Sequence, residues 1–145
     1  MIEKTWKAII ADGRGESTDI TREQVECYLE EVRAAVKSRR YRLDRNSKRI
    51  DNNALFDNFV ISESDVEKII CSLTSDDFSD ILPNEHPVFE YERLYVFGKR
   101  VKLLERFGSG EEVVDLYIKF NKLENQFLIV ISFHKQKYPL EYYFL

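Results

Sequence analysis

The sequence predicts a mixed α+β domain in which N-terminal helices pack on a C-terminal antiparallel sheet. Helical spacing of apolar residues occupies the first half of the chain, and a period of two replaces it from Val88 onward. The 145 residues suffice for one domain with a sizeable core. Hydrophobic residues at 43% and aromatic residues at 13% are typical of a globular protein rather than a disordered one.

The first predicted boundary separates an N-terminal arm, residues 1–20, from a single domain, residues 21–145. The arm is weakly patterned, and we expect it to be mobile. The first predicted helix begins at Thr21, because Thr21 and Gln24 form a capping box that satisfies free amides at a helix start. The apolar residues that recur at helical spacing in this helix are Val25, Tyr28, Leu29, Val32 and Val36.

Two shorter helices are predicted next, after a brief extended piece around Tyr41. Asp51 is expected to cap the first of them. Ser62, with Asp65 at the third helical position, caps the second. Thr74 with Asp77 predicts one further turn, and helical patterning stops at the loop between two prolines, residues 83–87.

Strands are predicted for most of the remaining chain. Residues 91–97 form the first, which continues after a bend or bulge at Gly98. Residues 111–123 and 127–134 give the two clearest strands. The aromatic tail, residues 138–145, is expected to fold back as an edge strand with Pro139 near its start.

The last hairpin allows a prediction of register. With Glu124 and Asn125 as a two-residue turn, an apolar face forms in which Phe120 opposes Ile129 and Leu116 opposes Phe133. The other face then carries Tyr117 opposite Ser132, and Asp115 opposite His134.

This register predicts a candidate catalytic group on the open face of the sheet, formed by Asp115, Tyr117, Lys119 and His134. Cleavage of an RNA phosphodiester needs a base, an acid and a cation near the non-bridging oxygens, and these side chains can supply all three without a metal. His134, oriented by Asp115, serves as base or acid, Lys119 holds the phosphate, and Tyr117 assists proton transfer or stacks on a base. Cross-strand pairs of the same kinds also occur for stability alone, and the residues by themselves favour that simpler interpretation.

Charge is distributed unevenly along the chain. The net charge is −4, yet residues 31–49 hold eight basic and two acidic side chains. The alternatives for this segment are a phosphate-binding surface and an ordinary solvated helix end. The candidate RNA-binding residues are Arg39, Arg40, Arg42, Arg45 and Lys135. Two cysteines and two histidines make a dedicated zinc site improbable, and we expect no cofactor.

Three short motifs in order resemble the C-terminal half of MqsR-family toxins. They are residues 116–120 (Leu-Tyr-Ile-Lys-Phe), residues 128–134 (ending Ser-Phe-His) and residues 138–140 (Tyr-Pro-Leu). Residues 72–78 and 96–99 resemble two preceding segments of the same family, and the likeness spans about residues 22–145. The resemblance implies a RelE-like arrangement of sheet and helices. It also places Tyr117 on the family's strand tyrosine, and His134 and Lys135 at its C-terminal lysine.

The function implied by this resemblance is that of a type II toxin, an endoribonuclease that cuts mRNA, on or off the ribosome, and is held inactive by a cognate antitoxin protein. The chain has no apolar run long enough to span a bilayer and no signal-peptide layout, so we expect a cytoplasmic protein that does not contact membranes. Two alternatives remain open. One is a non-enzymatic protein-binding module on the same fold, encoded by a phage or mobile element, and the other is RNA binding without cleavage.

Overall fold

A computed structural model describes residues 19–145, and the predicted N-terminal arm therefore lies almost wholly outside the described residues. Its last residue, Ile20, belongs to the core, where it is 9% exposed. The helices are α1 (Arg22–Lys37), α2 (Ile50–Asn58) and α3 (Glu63–Cys71), and the strands are β1 (Tyr41–Leu43), β2 (Phe59–Val60), β3 (Phe78–Pro83), β4 (Arg93–Glu105), β5 (Glu111–Lys122) and β6 (Leu128–Lys135).

Local capping fixes where α1 and α3 begin, as predicted. The Thr21 hydroxyl accepts the amide of Gln24 and the Gln24 side chain accepts the amide of Thr21, while Ser62 and Asp65 form the same box at α3. The N-terminus of α2 differs from the prediction. Its N-cap is Arg49 rather than Asp51, and no side chain caps it.

The predicted fold class is confirmed, since three helices precede the long strands and pack on one face of the sheet. The sheet order is β1-β6-β5-β4-β2, and β3 pairs with the first part of β4. All pairings are antiparallel except that of β1 with β6, which is parallel, so the sheet is mixed rather than wholly antiparallel. A parallel neighbour is possible because α2, β2, α3 and the later strands lie between β1 and β6 in the chain.

Strand β5 confirms the predicted alternation. Val114, Leu116, Ile118 and Phe120 are each at most 2% exposed and face the helices. Strand β4 is continuous through Gly98, where a bend had been predicted, and it pairs with β5 without interruption from Leu94 to Leu104.

The predicted register of the last hairpin is wrong. The loop has three residues rather than two, because Leu123 N bonds to Phe127 O at 2.9 Å and Gln126 adopts a positive φ of 69°. A second shift follows where Lys119 pairs with Ser132 and Phe120 with Val130, which leaves Ile131 as an extra residue in β6. As a result Tyr117, not Asp115, lies opposite His134.

The C-terminal tail is not an edge strand. Residues 136–145 cross the sheet in an irregular path, and the Tyr143 amide donates to the carbonyl of Phe78 at 2.9 Å. Tyr143 and Phe144 then pack against the core on the helix side. Within residues 19–145, no helix is long and apolar enough to cross a membrane.

Candidate functional site

The centre of the candidate site is a stacked pair of rings on the open face of the sheet. Tyr117 and His134 lie opposite each other on β5 and β6, with ring centroids 5.3 Å apart and ring planes 14° from parallel. Both side chains are half-buried. The pair therefore holds the imidazole in one orientation and leaves part of it open to solvent.

A hydrogen bond fixes which nitrogen of His134 is available for chemistry. Nδ1 lies 2.7 Å from the backbone carbonyl oxygen of Lys135. Because a carbonyl oxygen can only accept, Nδ1 carries the proton, and in the neutral ring Nε2 keeps its lone pair. A neutral imidazole with this tautomer can take up a proton at Nε2.

Lys119 lies on the same face, two residues along β5 from Tyr117. It is paired with Val96 on β4 and Ser132 on β6, and Asp80 of β3 occupies the same cross-strand row beyond Val96. Two residues of a strand span about 7 Å. Lys119 therefore places a cation one row along β5 from the stacked rings.

Asp115 does not orient His134. It lies one row further along, where it forms a two-pronged ion pair with Arg100 across β4 and β5, at 2.8 and 3.4 Å. The hydrogen bond from Arg100 lowers the pKa of Asp115. This pairing makes Asp115 part of the exposed surface of the sheet, and it shares a face but no contact with the histidine.

The carboxylate that lies near His134 belongs to Asp51, in the first turn of α2. Lys137 donates a hydrogen bond to it at 2.8 Å and thereby lowers its pKa, and the charge of His134 acts weakly in the same direction. Asp51, His134 and Lys137 line a groove of about 550 Å³ at the end of β6, together with apolar side chains that include Phe59 and Phe107.

Asn52 holds the part of β6 that carries the site. Strand β1 ends after pairing with Val130, and Asn52 takes over as the neighbour of β6. Its amide nitrogen donates to the carbonyl of Ile131 at 2.9 Å and its oxygen accepts the amide of Phe133 at 2.8 Å. The side chain is buried, so these bonds lie away from water. Asn52 thus fixes the backbone on both sides of Ser132, directly after the extra residue in β6.

The C-terminal tail forms one wall of the site. Leu140 packs in the same apolar cluster as Tyr117 and Val96 on the open face. The Gln136 side chain donates to the carbonyl of Leu116 at 3.1 Å and accepts the amide of Leu140 at 3.3 Å. These contacts place the tail directly beside the Tyr117 ring.

The predicted RNA-binding arginines do not form one surface with His134. Arg39 follows α1 and pairs with Glu63 at 3.2 Å, on the helix side of the sheet. Arg42 projects from β1 and pairs with Asp44 at 3.0 Å. Arg45 stacks on Phe56 with its guanidinium carbon 4.3 Å from the ring centroid. All are exposed, but each already has a protein partner.

Arg40 and Lys135 complete the predicted set. Arg40 donates to the carbonyl of Asn125 in the β5–β6 loop at 2.7 Å. Lys135 projects to the opposite face from His134, where it pairs with Glu112 at 2.7 Å and lies over the Phe59 ring. Lys135 therefore lines the groove without sharing the open face.

Sequence reasoning missed Asp51, Asn52 and Lys137. Asn52 had a usable signal, because it shares one helical face with Leu55 and Phe56 and is thus a polar residue at a core position. Asp51 and Lys137 had none, since their approach to His134 depends on how α2 docks against the end of β6. The predictions of Tyr117, Lys119 and His134 on one open face agree with the structure.

Comparison with known proteins gives no relatives. No family model, no curated protein and no solved structure matches the chain significantly. Within the part of the chain described here, no cluster of three or more His, Cys, Asp or Glu side chains is placed to hold a metal ion.

Proposed function

We propose that the protein is a cytoplasmic endoribonuclease toxin that cuts mRNA by attack of the 2′-OH, and that a cognate antitoxin protein neutralises it. The observation that carries the proposal is the Tyr117–His134 stack, in which Nδ1 is bound to a carbonyl and Nε2 is left as a proton acceptor. The chemistry of RNA cleavage needs such a group beside a cation, and Lys119 is the nearest one along β5.

The proposed reaction uses one base, one acid and one cation. Nε2 of His134 removes the 2′-OH proton, and O2′ forms a bond to phosphorus while the bond from phosphorus to O5′ breaks. The Tyr117 phenol gives its proton to the leaving O5′, and the proton held by the His134 imidazolium then returns to the phenolate through water, which restores both groups. Lys119 stabilises the charge on the non-bridging oxygens. The products are a 2′,3′-cyclic phosphate and a 5′-hydroxyl.

The carbonyl of Lys135, which accepts from Nδ1, orients the ring in place of the predicted Asp115. Asp51 lines the same groove as His134, and the hydrogen bond from Lys137 and, after it, the charge of His134 lower the pKa of Asp51. A carboxylate in this groove favours the imidazolium that forms when Nε2 accepts a proton. Asp115 forms its ion pair with Arg100 and stabilises the pairing of β4 with β5. We therefore expect substitution of Asp51, and not of Asp115, to slow cleavage.

Binding of the RNA backbone is assigned to the exposed cations. Lys137 lies in the same groove as His134 and its side chain is 63% exposed, and an exposed ion pair costs little to exchange for a phosphate. Arg39, Arg40, Arg42, Arg45 and Lys135 remain candidates for outer contacts. The Debye length at physiological salt is about 8 Å, so only cations close to the bound strand contribute strongly.

One observation favours the alternative of a protein-binding module without catalysis. Large apolar side chains are exposed near the far end of the β4–β5 hairpin: Val60 at 45%, Leu104 at 49%, Phe107 at 84% and Val113 at 58%. Exposed apolar groups that lie close together mark protein-interaction sites. The alternative predicts a stoichiometric protein complex and intact RNA at micromolar protein.

Expression of the chain in a bacterial host tests the proposal. We expect growth arrest by the wild type and normal growth with His134→Ala at equal protein level. His86→Ala is the matched control, because His86 is the other histidine and lies exposed in the loop before β4. It should arrest growth as the wild type does. Arrest by His134→Ala to the same extent would remove the histidine from the mechanism.

A further inference from the structure

A second groove, of about 620 Å³, lies at the other end of β6 from His134. It is formed where the β5–β6 loop and the start of β4 meet α1. The residues that matter for its chemistry are Tyr28, Tyr91, Glu92, Arg93 and Asn121. The proposed cleavage uses none of them.

The first sign of a ligand is a buried hydroxyl that lacks a partner. Tyr28 is 9% exposed, and its ring stacks on Tyr95 with centroids 3.7 Å apart and planes 8° from parallel. Its hydroxyl makes no hydrogen bond of normal geometry to any group in residues 19–145. Burial raises the pKa of this phenol, and a backbone hydrogen bond from Lys122, outside the normal range of geometry, lowers it. Buried hydroxyls normally have a partner, so Tyr28 is an incompletely bonded polar group in the wall of the groove.

The second sign is the carboxylate of Glu92, which is fixed in orientation and has one oxygen that accepts no hydrogen bond within residues 19–145. Oε1 of Glu92 accepts two side-chain amides, from Asn84 at 3.0 Å and from Asn121 at 2.9 Å. Asn121 is itself buried. Oε2 of Glu92 has no hydrogen bond among the described residues. The two amides fix the carboxylate in one orientation, and Oε2 remains as an acceptor for a ligand donor.

Aromatic and cationic groups complete the lining. Tyr91 is 67% exposed, so its ring offers an open surface for stacking. Arg93 follows at the first position of β4 and is exposed. An aromatic face, a carboxylate and a cation together match an unpaired nucleobase better than an apolar ligand.

We propose that this groove binds an unpaired guanine base of single-stranded RNA, stacked on Tyr91, with its N1–H and N2–H donors both directed at Oε2 of Glu92. Guanine presents these donors beside the acceptors O6 and N7, which suit the guanidinium of Arg93. Uracil has no amino group to place at the carboxylate. The choice of RNA as ligand rests on the proposed function, but the binding does not depend on cleavage.

The distance from the groove to Tyr117 predicts how far the bound base lies from the cleaved bond. Asn121 lies four residues along β5 from Tyr117, which is about 13 Å. Lys119 lies between them on the same face of the sheet. At the 3.4 Å rise of a stacked strand this distance is about four nucleotides, and fewer if the strand is extended. Cleavage is therefore expected at a fixed short distance from a guanine.

Binding of short labelled RNAs to the full chain tests the proposal. The protein is His134→Ala, which keeps the RNA intact, and the readout is fluorescence anisotropy. A seven-nucleotide oligouridine with one central guanine should bind about tenfold more tightly than oligouridine of the same length or the same strand with a central adenine. Glu92→Gln and Tyr91→Ala should abolish that preference, whereas Glu90→Gln, an exposed glutamate outside the groove, should retain it.

The outcomes separate this inference from the proposed function. A guanine preference that depends on Glu92 and Tyr91, in a protein whose wild type cuts no RNA, supports the groove and contradicts the ribonuclease. Cleavage by the wild type with no guanine preference overturns the groove and leaves the ribonuclease intact. A preference that survives both substitutions also overturns the groove. Circular dichroism of each variant verifies the fold, and Tyr91 is exposed enough for its loss to be tolerated.

Discussion

Arg39 ends helix α1 in a backbone conformation that favours glycine. Its φ is 59°, and the amides of Arg39 and Arg40 bond to the carbonyls of Val36 and Ala35, the two hydrogen bonds of a Schellman motif. A side chain in this left-handed region costs about 1 kcal/mol or more relative to glycine. Glycine would therefore be the most stable residue at this position, yet the chain has an arginine there.

Two substitutions at Arg39 separate the charge from the strain. Arg39→Gly and Arg39→Ala both remove the ion pair with Glu63, but only glycine relieves the backbone. We expect the glycine variant to be more stable than the alanine variant by about 1 kcal/mol in urea denaturation. If Arg39 contacts RNA, both variants should lose the same amount of RNA affinity. Equal free energies of unfolding for the two variants would show that the backbone at Arg39 is not strained.

Asn52 is the residue on which the geometry of β6 depends most. Asn52→Ala leaves the carbonyl of Ile131 and the amide of Phe133 buried without partners, and we expect it to destabilise the fold by roughly 3 kcal/mol. Chemical denaturation measures this. Asn58→Ala in the same helix is the control, because the Asn58 side chain is exposed and bonds only to a carbonyl of its own helix, and its cost should be below about 0.5 kcal/mol. Similar losses in both would show that Asn52 is replaceable.

At the level of single residues, the sequence predicted which side chains share the open face better than it predicted which residues lie opposite them on the neighbouring strand. Alternation along β5 was enough to put Tyr117 and Lys119 on the open face, since the opposite face is wholly apolar. The partners of His134 depended on register, and the register could not be read from β6. Leu128, Ile129, Val130 and Ile131 are all apolar, so a shift of one residue leaves both faces plausible.

At the level of elements, the tail and Gly98 depend on each other. A Cβ at Gly98 would lie 2.3 Å from the hydroxyl of Tyr142 and 2.9 Å from atoms of Gln136 and Leu140. The tail can therefore cross the open face beside Tyr117 only because β4 carries a glycine there. The sequence predicted a bend at Gly98 because a glycine within a strand often marks one, but close approach of another segment is the alternative reason and the one that applies.

Gly98→Ala should loosen the tail without unfolding the sheet. The atoms in the way are ends of side chains, so the tail moves rather than β4, and we expect a loss of about 1–3 kcal/mol. Carboxypeptidase should release the C-terminal residues faster from this variant. Gly110→Ala serves as control, because an added Cβ there meets nothing within 4 Å. Equal rates of digestion for the two variants would show that the tail does not depend on Gly98.

At the level of the whole molecule, the fold class followed from the order of the two periodicities, whereas the parallel strand did not. Three residues of β1 are too few for a pattern, and their parallel pairing with β6 depends on where α1 ends. The distribution of charge was also only partly informative. The basic segment is real, but its arginines are divided among the acidic and polar groups of α2, α3 and the loops rather than gathered at the site.

The proposed cleavage uses the 2′-OH of the RNA as nucleophile and His134 as its base. The direct measurement incubates purified protein with an end-labelled RNA in EDTA and maps both ends of the products. We expect 2′,3′-cyclic phosphate and 5′-hydroxyl ends for the wild type, and a rate at least about 100-fold lower for His134→Ala. RNA that stays intact with the wild type, or cleavage unchanged by His134→Ala, would contradict it.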